Sequence, residues 1–279
     1  MRPAKVYMDI FEINGYYNNR NRPEEEYFDK CIDLTFKTEE GVPLVNLLNL
    51  ACHPSLIGVQ NKYFTADFFG VMRRYLQGIN GTPVMIFNGE AGDVSARLLK
   101  KGVDWNECIR YGEGIGAQLV YPRHPVEVQV DEITVTEIAH RIDYKPGENE
   151  YLLRQKERLK KELEGLHPES RRYQMITSCY LYDIEEKLRH DRLTYEGECY
   201  IYDFGGFRIV TVPCEIDTVL GKKIREKDEK LTILNAYSNG FLYYAVNEKE
   251  YGEVFESYVT YFPYGDADQM VGDILRQYK

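Results

Sequence analysis

The sequence predicts a mixed α/β (α+β) fold in which a central mixed sheet has helices on its faces. Three observations predict it. Apolar runs of strand length alternate along the chain with segments of helical period. Hydrophobic residues make up 43% of the 279 residues, which is enough to fill a core. No internal repeat or low-complexity stretch interrupts the alternation, so a repeat array is not indicated.

The first half of the chain supplies four predicted strands and two predicted helices. Residues 43–51 form an almost continuous apolar run, which is typical of a strand buried on both faces. Thr65 is a predicted N-cap, because apolar residues recur at helical spacing after it. The elements are strands 5–13, 30–37, 43–51 and 83–87, and helices that follow Thr65 and Asp104.

The second half returns to the same alternation after a helical insertion. Residues near 149–188 are rich in strong helix formers of mixed charge, and they predict a solvated helical hairpin on the outside of the domain. The other elements are one or two strands in 126–143, strands 207–213 and 231–238, a helix opened by Glu215, and a closing helix over 265–278.

Composition excludes several classes of protein. The formal net charge of −10 argues against nucleic-acid binding through a broad basic face. No apolar run approaches the roughly 20 residues of a membrane-spanning helix, and no signal segment opens the chain. The six cysteines form no CxxC pair, which is typical of reduced thiols in a cytoplasmic protein.

Two candidate site residues follow buried apolar runs, where sites in α/β proteins are commonly found. His53 comes directly after the run 43–51 and could bind a metal or move a proton, although a lone histidine is more often structural. Ser95 ends the glycine-rich turn 88–95 and could be a nucleophile, a hydrogen-bond donor or a cap. The turn lacks the Gly-x-Ser-x-Gly of an α/β-hydrolase.

Two further segments carry capable side chains. Glu215 follows the strand at 207–213 and is either a metal-binding carboxylate or an acid favoured by a helix dipole, and Cys214 beside it is a metal ligand or a buried inert thiol. Arg20 and Arg22 lie in a polar loop and either clamp a substrate oxygen or are simply solvated. Exposed positions are expected for the remaining histidines, His124, His140, His167 and His190.

Taken in order, these segments resemble the neutral/alkaline ceramidase family, the zinc-dependent non-lysosomal amidases. The resemblance runs from about residue 15 to about residue 275. It is carried by Asn-Arg-Asn-Arg at 19–22, Leu-Ala-Cys-His-Pro at 50–54, Thr-Ala-Asp-Phe-Phe-Gly at 65–70, Gly-Asp-Val-Ser at 92–95, Val-Pro-Cys-Glu at 212–215 and Asn-Gly-Phe-Leu-Tyr-Tyr at 239–244.

The resemblance implies roles for these positions. One zinc ion would be held by His53 and Glu215, and Ser95 would lie beside the reacting amide. Arg20 or Arg22 would contact the substrate. The resemblance also implies substrate-binding positions at Asn88, Gly92, Asp93 and Tyr244.

Three departures from the family pattern qualify that expectation. The family has an earlier metal-binding histidine, upstream of everything matched here. Its Tyr-Glu motif, whose tyrosine helps to complete the zinc site, appears here as Phe255-Glu256, and its glycine before Glu215 is Cys214. Because a catalytic zinc normally has three protein ligands, the site is expected to be one ligand short.

The resemblance therefore predicts that residues 1–279 form a single ceramidase-like catalytic domain that lacks its N-terminal part and the family's C-terminal immunoglobulin-like domain. The missing part would be a segment before Met1 or a separate chain. If it carried a secretion signal, the protein would be secreted or periplasmic.

Three functions follow from this reading. The first is zinc-dependent hydrolysis of the N-acyl amide of ceramide or of a related lipid or amide. The second is a catalytically incomplete member of the family that acts as a binding protein. The third, unrelated to the family, is a tyrosine-rich sugar- or peptide-binding protein, because the chain has 24 tyrosines.

Overall fold

The computed structural model describes residues 3–120 and 124–278, so Met1 lies outside the described residues. The strands are β1 Lys5–Glu12, β2 Asn18–Asn19, β3 Lys30–Lys37, β4 Pro43–Leu50, β5 Val84–Asn88, β6 Val94–Ser95, β7 Val126–Val128, β8 Val130–Tyr144, β9 Leu193–Gly205, β10 Phe207–Thr211, β11 Glu215–Ile216, β12 Leu231–Asn235 and β13 Tyr244–Ala245. The α-helices are α1 Asp67–Asn80, α2 Trp105–Gln118, α3 Glu150–Leu163, α4 Arg171–Met175, α5 Leu181–Leu188, α6 Thr218–Arg225 and α7 Asp266–Arg276.

The predicted fold class is confirmed, and the strands divide between two larger mixed sheets. The first has the order β5-β4-β3-β1-β7, with β4 and β5 parallel and the other pairs antiparallel. The second has the order β12-β10-β9-β8, with β10 and β12 parallel. The sheets meet where the Asn49 side chain donates to Leu234 O (2.8 Å) and Ala236 N donates to Asn88 O (2.9 Å).

Helices cover the sheets as the apolar periodicity predicts. In one core cluster, Phe68 and Met72 of α1 and Tyr111 of α2 pack with residues of β1 and β4. A second cluster joins α6 and α7 to the four-stranded sheet. Residues of both sheets form a third cluster, which includes Leu34 and Ile233. This layering leaves the loops after β4, β5 and β10 to form the site.

The helical hairpin is confirmed, but it is not solvated on every face. Its second arm runs from α4 to α5 through a π-helical turn at Ile176–Tyr180. Leu159, Ile176 and Ile184 are buried in a separate cluster with Tyr258. The charged residues that suggested a solvated hairpin occupy its outer faces, while this apolar stripe packs inward.

Two features of the fold escape the sequence analysis. Strand β9 was not predicted, because its run of tyrosines and acids has no apolar stretch. It is a strand because it pairs antiparallel with β8 along most of its length. His140 was expected to be exposed but is only 5% exposed, because Asp266 and Phe262 cover it. Among residues 3–120 and 124–278, no helix combines the length and the apolar character that crossing a membrane requires.

Candidate active site

Three loops that follow strand ends bring His53, Ser95 and Glu215 together. The backbone of His53, just after β4, forms a parallel bridge with Ser95 of β6. Strand β6 also pairs with β2, so that Asn18 lies opposite Ser95. Glu215 lies in β11, which is held beside β13, and its carboxylate reaches the His53 ring. The residues that the sequence placed at separate strand ends therefore share one site.

The side chains of His53 and Glu215 meet in the site. His53 Nε2 lies 2.7 Å from Glu215 Oε2, and Nδ1 lies 3.2 Å from Val94 O. A carbonyl oxygen can only accept, so Nδ1 carries a proton and donates it. Nε2 then lies at hydrogen-bond distance from a carboxylate oxygen. This arrangement suits either a metal ligand or a proton-transfer group.

Glu215 does not open a helix, so that part of the sequence analysis is wrong. Its amide donates to Tyr243 O (2.8 Å), which fixes the residue in the short ribbon of β11 and β13. Helix α6 begins later, at Thr218, where the Asp217 side chain caps it by accepting from Leu220 N. A helix dipole therefore does not account for the carboxylate at this position.

Glu215 is held in its charged form. Burial raises the pKa of its carboxyl, but the hydrogen bond and charge of His53, with help from Tyr244 and Arg20, bring the pKa below its usual value. An ionised carboxylate at neutral pH is what a metal ion or an imidazolium requires as a partner.

Two tyrosine hydroxyls border the pair. Tyr244 Oη lies 3.3 Å from His53 Nε2, and the two rings stack with their centroids 6.1 Å apart. Tyr237 donates to Glu215 Oε2 at 3.4 Å. Burial, reinforced by the Glu215 charge, raises the pKa of Tyr244 to about 12, and burial also raises the pKa of Tyr237. Both phenols therefore keep their protons at neutral pH and act as donors.

The loop that carries these tyrosines has a strained backbone. Among the described residues, four residues other than glycine have positive φ, and three of them are Tyr237 (58°), Asn239 (60°) and Tyr243 (58°). Left-handed backbone costs energy in residues with a Cβ, and it clusters at functional sites. Here it lies on both sides of the turn that delivers Tyr237 and Tyr244 to the pair.

Arg20 lies inside the site. Its guanidinium donates to Glu256 Oε1 (2.7 Å) and to Gly92 O (2.8 Å), and it lies 5.7 Å from the centre of the Tyr244 ring. Burial lowers the pKa of Arg20, but Glu256 and Tyr244 outweigh it and the pKa is raised. A fixed cation thus supports the tyrosine ring next to His53.

Arg22 lies at the rim, where its side chain is 40% exposed. Its Nε lies 2.5 Å from Glu250 Oε1, and Nη1 lies 3.4 Å from Glu25. The sequence analysis left open which arginine belongs to the site. The structure puts Arg20 next to Tyr244 and Arg22 in an outer ion pair.

Ser95 is buried, and its hydroxyl accepts from the Arg97 amide at 3.3 Å. The contact uses a lone pair and leaves the hydroxyl proton for another acceptor. Its backbone bridge to His53 fixes its place in the site. Of the three roles considered for Ser95, the contact with the Arg97 amide is that of a local cap, and the remaining hydroxyl proton also allows the donor role.

Gly92 allows the turn to approach Glu215. A Cβ on Gly92 would lie 2.8 Å from the carbonyl oxygens of Glu215 and Ile216, closer than real Cβ contacts allow. Gly92 N donates to Ile216 O at 2.8 Å. The glycine is therefore required to join the turn to β11.

Asp93 and Asn88 have partners within the protein. Asp93 accepts from Asn19 Nδ2 (2.6 Å) and from the amide and hydroxyl of Thr218 (2.9 and 2.7 Å). Asn88 Oδ1 accepts from Cys52 N at 3.1 Å. These side chains hold the loops of the site in register, and their expected contact with substrate stays a prediction.

The cysteines next to the site are buried thiols. Burial raises the pKa of Cys214 and of Cys52 well above the usual value, so neither is a thiolate at neutral pH. This environment favours the inert role that the sequence analysis allowed for Cys214.

The site offers the types of side chain that bind a metal ion, but it offers fewer of them than a metal site normally has. His53 Nε2, Glu215 Oε2 and Tyr244 Oη converge, and Nδ1 of His53 is oriented by Val94. No group of three or more His, Cys, Asp or Glu side chains suited to a metal occurs in the described part of the chain. Phe255 packs edge-on against Tyr244 and has no ligating atom. The chain offers zinc two of its usual ligand types, with a phenol beside them.

The fold is similar to that of a neutral ceramidase from Pseudomonas aeruginosa, with a TM-score of 0.67, 14% sequence identity, and coverage of 98% of this chain and 51% of the other. A second solved structure, a ceramidase complexed with C2, gives a TM-score of 0.68, 15% identity, and coverage of 98% and 53%. The chain therefore spans about half the length of the solved structures that it matches. No family model and no curated protein sequence matches it.

These comparisons confirm the resemblance at the level of the fold. The identities of 14% and 15% are too low to carry residue roles across by themselves. The class defined here is a mixed α/β protein of ceramidase-like fold with a histidine–carboxylate site at its strand ends.

The sequence analysis missed two contributors to the site. Glu256 was noted only as the residue after Phe255, yet it is almost fully buried and pairs with Arg20. Tyr237 was not singled out, although it follows the strand 231–235 as His53 follows β4. The predicted strand 231–238 contained Tyr237, whereas β12 ends at Asn235, so the strand-end rule applied to the predicted bounds did not find this residue.

Proposed function

We propose that the chain carries the zinc-binding part of an amidohydrolase that cleaves the N-acyl amide of ceramide or of a related lipid. The observation that carries the proposal is the 2.7 Å contact of His53 Nε2 with Glu215 Oε2, bordered by the Tyr244 hydroxyl and bridged to Ser95. The ceramidase-like fold supports the choice of an amide substrate, and the chemistry of the site supports hydrolysis.

His53 Nε2 and Glu215 Oε2 would hold the ion. When bound, zinc would polarise an amide carbonyl and lower the pKa of a water molecule. Val94 O keeps the His53 ring in the tautomer that leaves Nε2 available. Tyr244, with its pKa of about 12, keeps its proton and can donate a hydrogen bond to the amide oxygen. Ser95 lies beside the same space, with its hydroxyl proton available.

A third zinc ligand is part of the proposal. The described residues provide two ligands of the usual kinds, whereas catalytic zinc sites normally have three. We expect the third to come from outside the described residues, from a further segment or from a second chain.

The test combines zinc binding with turnover. Zinc content and affinity are measured by elemental analysis and titration calorimetry, and hydrolysis is measured with a fluorescent N-acyl sphingosine. His53→Ala and Glu215→Gln should each lower zinc affinity by on the order of a thousandfold and abolish hydrolysis, because each removes a direct ligand. His190→Ala is the matched control, since His190 is exposed in the connection between α5 and β9. Unchanged hydrolysis in both site variants would refute the proposal.

A second candidate function is binding without turnover. It is favoured by the shortage of metal ligands among the described residues. It predicts saturable binding of N-acyl sphingosine with no released fatty acid, even with excess zinc. Zinc-dependent release of fatty acid would exclude it.

A further inference from the structure

A surface loop after His53 presents large apolar side chains to solvent. Val59 is 88% exposed and Tyr63 is 84% exposed, and Phe64 is fully exposed. The base of the loop is well anchored, because the Asp67 carboxylate accepts from the amides of Leu56 and Ile57 at 3.0 and 2.9 Å. The exposed tip therefore extends from a base that hydrogen bonds hold in place.

The start of α2 extends the apolar surface. Gly58 N donates to Val103 O (2.9 Å), which places the loop beside Val103 and Trp105. Together they line a groove of about 790 Å³, and the Arg74 guanidinium lies 5.9 Å from the Trp105 ring centre. We call Val59, Tyr63, Phe64, Val103 and Trp105 the aromatic face. Contiguous apolar surface of this kind marks an interaction site.

The exposed charges of residues 53–105, the stretch that carries the aromatic face, are mostly positive, in a chain whose net charge is −10. Of the acids in residues 53–105, Asp67, Glu90 and Asp93 are buried, and only Asp104 is exposed, as the cap of α2. The cations of the same stretch that reach the surface are here called the cationic rim: Lys62, Arg73, Arg74, Arg97, Lys100 and Lys101. This local excess of cations is the electrostatic complement of an anionic surface.

The aromatic face borders the candidate site. Lys100 Nζ donates to Ser55 O at 3.3 Å, and Ser55 N donates to His53 O at 2.9 Å. Arg97 N donates to the Ser95 hydroxyl. Lys100 is thus linked through Ser55 to the backbone of His53, and the backbone of Arg97 is linked to the Ser95 side chain.

We propose that the aromatic face and its cationic rim dock on an anionic lipid bilayer and place the site at the membrane surface. Tyrosine and tryptophan favour the headgroup region, and each Lys or Arg near an anionic leaflet adds to binding. A face built this way binds anionic membranes more strongly than neutral ones. The proposal needs no turnover, so it holds or fails independently of the proposed hydrolysis.

The experiment is co-sedimentation of the full chain with two kinds of phosphatidylcholine vesicle, one without phosphatidylglycerol and one with about 30 mol% of it. No amide substrate is present. We expect binding to the anionic vesicles that weakens as salt rises, and little binding to the neutral ones. Phe64→Ser should weaken binding by about fivefold. Lys62→Glu combined with Lys101→Glu should weaken it by about tenfold or more.

Matched controls separate the face from general surface effects. Tyr182→Ser removes an aromatic residue that is 60% exposed on α5, and Lys227→Glu with Lys249→Glu reverses two exposed charges elsewhere. Both should bind like the unaltered chain, with circular dichroism confirming the fold of every variant. Equal binding to neutral vesicles, or unchanged binding by the Phe64 and lysine variants, would overturn the proposal. So would self-association or capture of an RNA oligonucleotide through this face in the absence of vesicle binding.

Discussion

The described part of the chain contains two histidine–carboxylate pairs with nearly the same local geometry. His53 Nε2 lies 2.7 Å from Glu215 Oε2, and His140 Nε2 lies 2.9 Å from Asp266 Oδ2. Each imidazole also stacks on an aromatic ring, His53 on Tyr244 (6.1 Å between centroids) and His140 on Phe262 (5.7 Å).

Their surroundings differ. The His53 ring stacks on a phenol whose hydroxyl reaches Nε2, and the Arg20 guanidinium lies on that phenol. The His140 ring stacks on Phe262, which has no polar atom and belongs to the core beneath α7. A histidine–carboxylate pair therefore identifies a site only through the hydrogen-bonding groups beside it. We propose a chemical role for the first pair and a packing role for the second.

Replacing each histidine by alanine should separate the two pairs most clearly. His53→Ala should lower zinc affinity by on the order of a thousandfold, whereas His140→Ala should change it less than about threefold. For the free energy of unfolding, measured in EDTA without zinc, the larger effect is expected from His140→Ala. His140→Ala should cost about 2–3 kcal/mol of unfolding free energy by emptying a buried position and leaving Asp266 without its partner. His53→Ala should cost about 1 kcal/mol, because the Tyr237 and Tyr244 hydroxyls remain near Glu215.

Calorimetric zinc titration and urea unfolding measure the two quantities. Equal zinc affinities in the two variants would contradict the assignment of chemistry to His53. A loss of stability that is larger for His53→Ala than for His140→Ala would contradict the packing role of His140.

Replacing Arg20 and Arg22 in turn compares a buried ion pair beside the first histidine–carboxylate pair with an ion pair at the rim. Arg20→Met leaves Glu256, which is 1% exposed, without its cation and should cost about 3 kcal/mol of unfolding free energy. Arg22→Met breaks a pair whose arginine side chain is 40% exposed and should cost about 0.5 kcal/mol. Urea denaturation of both variants gives the comparison, and similar losses would show that Arg20 does not form part of a sealed site.

Much of the fold was predictable from local signals. The apolar run that became β4 and the start of α2 after Asp104 carry their information in adjacent residues, and both predictions are confirmed. The N-cap predicted at Thr65 is wrong, because α1 begins at Asp67 with Ala66 at the N-cap position and no side-chain cap hydrogen bond. Strand β9 was missed, because its alternating tyrosines and acids become a strand only by pairing along β8.

The candidate site was predictable as separate strand-end residues and not as a set of contacts. His53 and Glu215 are 162 positions apart, and nothing local indicates that their side chains meet. The exposed position predicted for His140 is wrong for the same reason, since Asp266 and Phe262 come from the far end of the chain. Long-range packing decides which polar residues meet, and a single sequence carries that information only weakly.

Removing the Tyr244 hydroxyl should leave the His53–Glu215 pair stacked on a ring without a polar atom, as the His140–Asp266 pair is. Tyr244→Phe keeps the stacked ring and deletes the hydroxyl 3.3 Å from His53 Nε2. We expect turnover of N-acyl sphingosine to fall about a hundredfold, in the range for loss of one oriented donor, with a change in unfolding free energy below about 1 kcal/mol. Tyr182→Phe, at an exposed position on α5, is the matched control. Activity at the level of the unaltered chain would show that the hydroxyl is incidental.

The smallest expected effect concerns a buried carboxylate beneath the first pair. Burial raises the pKa of Asp93, although Thr218 donates two hydrogen bonds to it. The folded state therefore holds this proton at pH values where the unfolded state has released it. The contribution of Asp93 to stability is largest below the unfolded pKa and declines as pH rises through the folded pKa. Asp93→Asn cannot titrate, so its unfolding free energy should fall less steeply above about pH 4 than that of the unaltered chain. Parallel pH slopes in urea titrations would mean that Asp93 is ionised over the same pH range in both states, and that the hydrogen bonds from Thr218 offset the effect of burial on its pKa.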